Sequence, residues 1–457
     1  MTVAMLIGTL IGELALFAAA GYLLFALDDV AVDLIYFLRR AWRALTVYSR
    51  YPRAFAEALE PPPLRGPIAV FIPAWDEGTV IAPMLAHALA RFDHPDYRLY
   101  VGHYRNDPAT AAAIASVTDV RVRPVRVDAD GPTTKADCLN HLYAALAADE
   151  AAAGRRVKAV VLHDAEDVVH PLELKLFDRL VERAAVVQLP VIPLIDINSR
   201  WVAGHYADEF AEAHIKELVV REAVGAAIPL AGVGCALERG ALARLADTHH
   251  GEPFAAASLT EDYELGLRLG ALGYRTLFVR IPAVRGSRVV VASRSHFPSS
   301  LQAAVRQKAR WIGGIAMTGW DRLGWRGGLG ERWFRMRDRR GPLAALLLLA
   351  GYLAALLWSE LALAHALGAP SVFRPSSLLM WLLGINAWLL LWRVAMRILF
   401  TTLGYGWREG LRAIPRLLVG NWIAIRAALR AIAIHRRGGP VTWDKTAHIF
   451  PSGLAAT

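Results

Sequence analysis

Cysteine is nearly absent from this chain of 457 residues. With only Cys138 and Cys235, and both expected on the cytoplasmic side, there is no material for a disulfide framework. No internal repeat is present, and the alanine runs near Ala111 and Ala151 read as helix composition rather than disorder. Acidic residues are the minority charge, 41 against 51 lysines and arginines, which leaves a net charge of +10. Charge is also missing from long stretches. Between Val3 and Leu27 the only charged residue is Glu13, and about 25 mostly apolar positions suffice to cross a bilayer as a helix. No lysine or arginine precedes that stretch and no small-residue cleavage site follows it, so a retained anchor is expected rather than a removed signal peptide.

Hydrophobic residues make up 55% of the chain, which excludes a simple soluble enzyme and leaves room for one large domain plus membrane helices. Two more spans are expected, Pro342 to Leu367 and Ser377 to Phe400, joined as a hairpin by a turn holding Pro370 and Pro375. Arg39, Arg40 and Arg43 follow the first span, and Arg335, Arg337, Arg339 and Arg340 crowd the start of the second. Basic residues favour the cytoplasmic side, so the middle of the chain and its tail are expected there. The same residues account for the net charge through attraction to anionic lipid, with no need for nucleic acid. From Leu411 to Ile434, Arg412, Arg416, Arg426 and Arg430 fall within an arc of roughly 80° on a helix. That pattern predicts an amphipathic helix at the cytoplasmic interface, since four arginines make spanning costly; a packed cytoplasmic helix is the alternative.

The middle of the chain alternates short apolar runs with Ala/Leu-rich stretches. The runs Ile68 to Trp75, Arg98 to Tyr104, Val120 to Val127, Val157 to His163 and Ala185 to Leu189 predict a largely parallel sheet with crossover helices. Ligands of such sheets bind at the carboxyl ends of the strands. Pro61, Pro62 and Pro63 mark a stiff entry to this domain. The expected division is 1–60 for the anchor and linker helix, 61–320 for the α/β domain, 321–408 for the hairpin and 409–457 for the interfacial helix and tail.

Three motifs carry chemistry. After the Val157 strand, Asp164 and Glu166 can supply oxygen ligands to Mg2+ or Mn2+, although an acidic turn capping the next helix reads the same way. Glu261 and Asp262 precede an amphipathic stretch, where a helix N-terminus favours the ionised carboxylate. Such a carboxylate can take a proton from an attacking hydroxyl, or merely cap the helix. Gln307, Arg310 and Trp311 share one helical face, as an anion-binding arginine beside an apolar platform or as an ordinary membrane-interface pair.

Taken in order and spacing, these motifs resemble the metal, base and processive-synthase signatures of the family 2 glycosyltransferases. The resemblance implies an α/β GT-A fold, a Rossmann-like and mostly parallel sheet, as a cytoplasmic domain with transmembrane α-helices at both ends. It extends to Pro73, Asp76 and Glu77 as nucleotide-binding residues, with Asp76 where Asn is common, and to Asn106, Asp107 and Lys135 near the nucleotide. Gly234 and Cys235 lie in a loop similar to the one that receives the acceptor, and Glu166 replaces the second Asp of the usual metal motif. Leu27-Asp28-Asp29, the His163 to Asp167 string, Gly131 to Asn140 and Trp443 to His448 are similar to the bacterial inner-membrane glycosyltransferases of the phage adsorption protein B type. In related synthases a tail segment folds over the donor, so Trp443, Lys445, Thr446 and His448 are expected to form a gate. Longer members carry a C-terminal regulatory module, which this sequence, read to Thr457, is not expected to include. The implied activity is inverting, processive transfer of an N-acetylhexosamine from a UDP-sugar to a growing glycan. The implied partners are the UDP-sugar, a glycan acceptor, the lipid bilayer and an outer-membrane export partner. Single transfer to a lipid carrier, or an inactive scaffold, are the competing readings.

Overall fold

The strand β1 (Ile68–Pro73) has six buried residues in a row, a pattern that needs apolar cover on both faces and so a place inside a parallel sheet. The computed structural model, which describes residues 3–370, 373–438 and 448–451, puts it there. β1 pairs in parallel with β2 (Tyr97–Tyr104) on one side and, beyond β3 (Val122–Val127) in sequence, with β4 (Ala159–Leu162) on the other. β5 (Val186–Gln188), β7 (Cys235–Glu238) and β8 (Thr276–Phe278) complete a seven-stranded sheet of order β3-β2-β1-β4-β7-β5-β8. β7 alone runs antiparallel to its neighbours, and β6 (Val191–Leu194) pairs separately with β9 (Ser293–His296). Because side chains alternate, Ile68, Val70 and Ile72 enter one apolar layer with Met84, Leu99 and Phe177, while Ala69 and Phe71 enter the other with Leu139, Leu237 and Leu265. Each such fully buried aliphatic or aromatic side chain stabilises the fold by about 1.5–3 kcal/mol. The edge strand β3 exposes Arg123, Pro124 and Arg126, and a proline is tolerated there because no further strand asks for its missing N–H.

In chain order the helices are α1 (Val3–Thr46), α2 (Ile81–Arg91), α3 (Pro108–Ala115), α4 (Lys135–Ala153), α5 (Glu173–Leu180), α6 (Val202–Glu212), α7 (Leu218–Ala223), α8 (Arg239–Asp247), α9 (Glu261–Ala271), α10 (Leu301–Ile312), α11 (Gly319–Leu323), α12 (Leu329–Arg339), α13 (Gly341–Ala366), α14 (Ser377–Tyr405) and α15 (Trp407–Arg437). π-helical segments follow α6 (Ala213–Glu217) and α10 (Gly313–Thr318). Chain order reverses across β1 and β4, which opens a crevice at their carboxyl ends.

α1, α13, α14 and α15 are each long and apolar enough to cross a membrane. At 1.5 Å per residue α1 extends about 66 Å, more than twice a hydrocarbon core, so its second half stands outside. That half is bound to the rest of the fold by its carboxylates. Asp28 accepts from Trp333 Nε1 at 2.6 Å, Asp29 meets Arg340 at 2.5 Å, and Asp33 meets Lys216 Nζ at 2.5 Å and Trp392 Nε1 at 2.8 Å. Arg337 also pairs with Asp28 and Asp29.

α15 differs from the simple amphipathic pattern. Its arginines do not form one solvated face: Arg416 is buried, with Nη1 3.0 Å from Asp208 Oδ1 and Nη2 against Glu409. The buried Asp208 and the half-buried Glu409 neutralise the charge that the helical-wheel pattern assigns to water. Ile423, Ala427 and Ala431 pack into the α/β domain against α6 and α10.

Candidate active site

At the end of β1 the backbone turns sharply. Asp76 has φ 54°, a left-handed conformation that Asn and Asp tolerate better than most residues, which accounts for an aspartate in place of asparagine. Its N–H donates to Asp107 Oδ2 at 2.6 Å, and the N–H of Glu77 donates to Thr110 Oγ1 at 2.8 Å. Asp107 also caps α3 by accepting from Thr110 N–H at 3.2 Å. Asn106 clasps the backbone of Gly131 in both directions, at 2.8 and 3.0 Å. Both side chains, expected at the nucleoside, are thus engaged in joining the loops that frame the crevice.

His163 follows directly on β4 and is fully buried. Its ring nitrogens lie 2.8 Å from Asp167 Oδ2 and 2.5 Å from Glu173 Oε1. Burial alone would depress the imidazole, but the two carboxylates push it up to about 10, so it stays charged. Asp167 Oδ2 also accepts from the N–H of Asp164 at 3.0 Å, fixing the acidic loop.

The two proposed metal residues are held differently. Asp164 Oδ1 lies 2.5 Å from Lys135 Nζ, at the first residue of α4. Glu166 instead meets Glu77 and His448, whose ligand atoms all lie within 4.8 Å of one another. His448 Nδ1 is 2.7 Å from Glu77 Oε1 and 3.2 Å from Glu166 Oε2. Burial, together with Asp164, Asp167 and Glu77, pushes Glu166 up to about 8 against the pull of His448; His448 in turn is raised to about 9 by Glu166 and Glu77 against its own burial. Crowded buried carboxylates whose ionisation is opposed are what a divalent cation relieves, so the donor set fits one. The sequence placed His448 in a gate; the structure puts it at this cluster. Trp443, Lys445 and Thr446 lie outside the described residues.

α9 begins at Glu261, so Asp262 stands in its first turn, and Asp262 Oδ1 accepts from Tyr263 N–H at 2.7 Å. The helix end was expected to favour the ionised form. Burial outweighs it: Asp262 is raised, with Lys135 and Arg310 pulling it back, and Glu261 is pushed up to about 7 by burial and by the charge of Asp262. Gly232, at φ 77°, brings its backbone against this group, and a Cβ there would lie 2.6 Å from Asp262 Oδ2 and 3.3 Å from Lys135 Nζ. Gly234 likewise has φ 56°. The thiol of Cys235 does not reach the cavity. It is buried in the apolar layer with Leu162 and Leu265, and that burial raises it.

Gln307, Arg310 and Trp311 on α10 line the same cavity as Lys135, Asp164, Glu166, Asp262 and His448. It encloses about 110 Å3. Buried atoms Gln307 Oε1 and Arg310 Nε have no hydrogen-bond partner among the described residues, which leaves both free to meet a ligand. One side of Trp311 packs in an aromatic cluster, 6.1 Å from Tyr206 and 6.5 Å from Phe297. Sequence reasoning missed His296 and gave Thr260, which opens the Glu261–Asp262 motif, no role; both line the cavity, and their Nδ1 and Oγ1 atoms have no partner among the described residues. A second cavity of about 350 Å3 shares Asp262, Thr260 and Trp311 and reaches Arg337 and Arg340 beneath α1.

Residues 62–314 match the family described as glycosyltransferase-like family 2. The chain is 38% identical over 453 residues to bacteriophage adsorption protein B of Escherichia coli K12, and equally to bacteriophage N4 adsorption protein B of Escherichia coli O157:H7. Each alignment takes in 93% of this chain and 60% of the relative, so the chain spans about three fifths of the length of the curated relatives it matches. The fold is similar to that of a mannosyltransferase from Pyrobaculum calidifontis in complex with GDP-mannose and Mn2+, with a TM-score of 0.53 at 18% identity over 95% of this chain and 100% of the other.

Proposed function

The chain belongs to the glycosyltransferase-like family 2 and has its GT-A fold, and from that premise we propose that it is an inverting, processive membrane synthase. It would pass an N-acetylhexosamine from a UDP-sugar to a growing glycan. The observation that carries the reading is the meeting of Asp262, the Lys135–Asp164 pair and the Gln307–Trp311 clamp around one cavity that adjoins a second leading towards the membrane-length helices.

The chemistry follows from the positions. Asp262 takes the proton of the acceptor hydroxyl as its oxygen bonds to the anomeric carbon, and the bond from that carbon to the diphosphate breaks. One displacement inverts the configuration. Lys135 and Arg310 offer cationic N–H groups to the diphosphate, and Trp311 offers its free face to a sugar ring. Glu77, Glu166 and His448 would hold the divalent cation, with Asp164 beside it; when bound, the cation neutralises charge on the departing diphosphate. An imidazole among the donors suits Mn2+ better than the oxygen-seeking Mg2+. Placement of this site on the cytoplasmic side of a bacterial inner membrane, with the glycan passed to an outer-membrane partner, is part of the same proposal. It rests on the basic residues that flank α1 and α13.

The competing reading, single transfer to a lipid carrier, draws support from Leu218, Leu230, Ile315 and Phe334 in the second cavity, which suit an isoprenoid as well as a path for product. One experiment separates these. Purified protein is supplied with a panel of UDP-N-acetylhexosamines and GDP-mannose, with Mn2+ or EDTA; nucleotide release is measured and products are sized on a gel. Metal-dependent UDP release with a ladder of long products supports the synthase. One-sugar lipid products favour the alternative, and full activity in EDTA or in Glu166→Gln sinks the metal assignment.

A further inference from the structure

Three carboxylates on α6 each grip a cation from a different helix. Glu209 places both oxygens 2.6 Å from Lys308 Nζ on α10. Asp208 accepts from Arg416 on α15 at 3.0 Å. Glu212 meets Arg393 at 2.5 Å and Arg397 at 2.7 Å, both on α14. The spacing explains the division. Asp208 and Glu212, four apart, share the face turned to the membrane-length helices, whereas Glu209 is rotated by about 100° towards α10.

Lys308 sits within the clamp, one residue after Gln307 and two before Arg310. It is buried, and its ammonium lies 5.5 Å over the Tyr206 ring, which in turn meets the edge of Trp311. On the cavity side, Gln307 Oε1 and Arg310 Nε have no partner among the described residues. The rotation of α10 about its axis is therefore set from behind, by the Lys308–Glu209 pair and by Ala309 packed on Ala427 and Ala431 of α15.

We infer that Glu209 is a positioning residue for the clamp, acting through Lys308, and that α6 makes the placement of Arg310 and Trp311 depend on the seating of α14 and α15. This rests on the clamp reading above. Glu209 does not line the cavity. Without its carboxylate the buried ammonium loses its partner and α10 loses the contact that fixes its rotation, so acceptor and diphosphate are met out of register. A displacement of that kind spoils transfer to the glycan more than it spoils donor binding.

The test uses the full chain in detergent and two readouts, UDP released and sugar incorporated. Glu209→Gln and Lys308→Met should each lower incorporation by about tenfold while the donor KM stays within about twofold. UDP released per sugar incorporated should rise, because water replaces the misplaced acceptor. The double variant should be no worse than either single one, since both remove the same contact. Glu209→Asp should recover part of the ratio. Should Glu209→Gln fail to fold, Lys308→Arg, which keeps the charge but moves it, is read by the same ratio. Additive single effects, or a ratio that stays at the wild-type value while both rates fall together, overturn the inference. Wild-type protein that releases no UDP from any donor refutes the proposed function instead, so the two failures are distinguishable.

Discussion

Gly232 offers the sharpest single perturbation of the site. Its φ of 77° is a conformation in which an L side chain costs about 1–2 kcal/mol, and in Gly232→Ala the new methyl would lie 2.6 Å from Asp262 Oδ2. An ordinary contact begins near 3.4 Å, so the carboxylate must retreat by about 0.8 Å, and Lys135 Nζ at 3.3 Å blocks part of its way. A base displaced on that scale loses roughly a hundredfold in turnover. Gly225 supplies the control: its φ is 75°, yet nothing lies within 4 Å of where its Cβ would be. Gly225→Ala should therefore lose the same 1–2 kcal/mol and keep its activity. The assay is initial-rate UDP release at saturating donor beside thermal unfolding of each variant. Equal stability loss with equal activity in the two variants would refute the reasoning, because backbone strain and not intrusion on Asp262 would then be the whole effect.

Asp262→Asn should lower turnover by roughly a hundredfold or more with donor affinity retained; a collapse of affinity in a nucleotide-binding titration would make Asp262 a binding residue. Asp262 must be ionised to accept a proton, so turnover should fall as pH drops through its raised value, and Lys135→Met, which removes the cation holding it down, should shift that acidic limb to higher pH. A pH profile in which the limb stays put or moves down contradicts this. His448→Ala should raise the Mn2+ concentration for half-maximal activity by about tenfold or more and weaken Mn2+ binding seen by electron paramagnetic resonance; unchanged metal binding removes His448 from the donor set. A cysteine at Ala369, in the turn after α13, should react with a membrane-impermeant thiol reagent from outside the inner membrane, whereas one at Arg436 should not. The native Cys138 and Cys235 are buried and will not confuse the labelling, and the reverse pattern would place the site away from cytoplasmic UDP-sugars.

The central strands were legible because burial on both faces leaves long apolar runs such as Ile68 to Pro73. Strands β6 to β9 were not, since three or four residues are too few to establish a period where no longer apolar run surrounds them, as it does β4 and β5. Gln307, Arg310 and Trp311 could be read together because one helix turn brings them to one face. Glu77, Glu166 and His448 could not, because the pair His448–Glu77 spans 371 positions and only the folded chain joins them. Of the four arginines in the arc on α15, Arg416 departs from it for a related reason: helical spacing says which side chains share a face, but Asp208 of α6, which meets Arg416 inside the fold, belongs to a distant segment. Asp262 shows the same limit, since its helix position is local while its burial is not.

The carboxylates of α1 also impose an order in time. The partner of Asp33 lies 183 residues further along the chain, and that of Asp28 309 residues further. At ordinary rates of synthesis, about 5–20 residues per second, the second interval lasts roughly 15 seconds to a minute. Lys216 arrives within it, but throughout it Asp28 and Asp29 are without Arg337 and Arg340, which neutralise them. The apolar half of α1 can enter the bilayer at once, but its acidic half must wait in water, and the helix cannot be drawn deeper until α12 has been made.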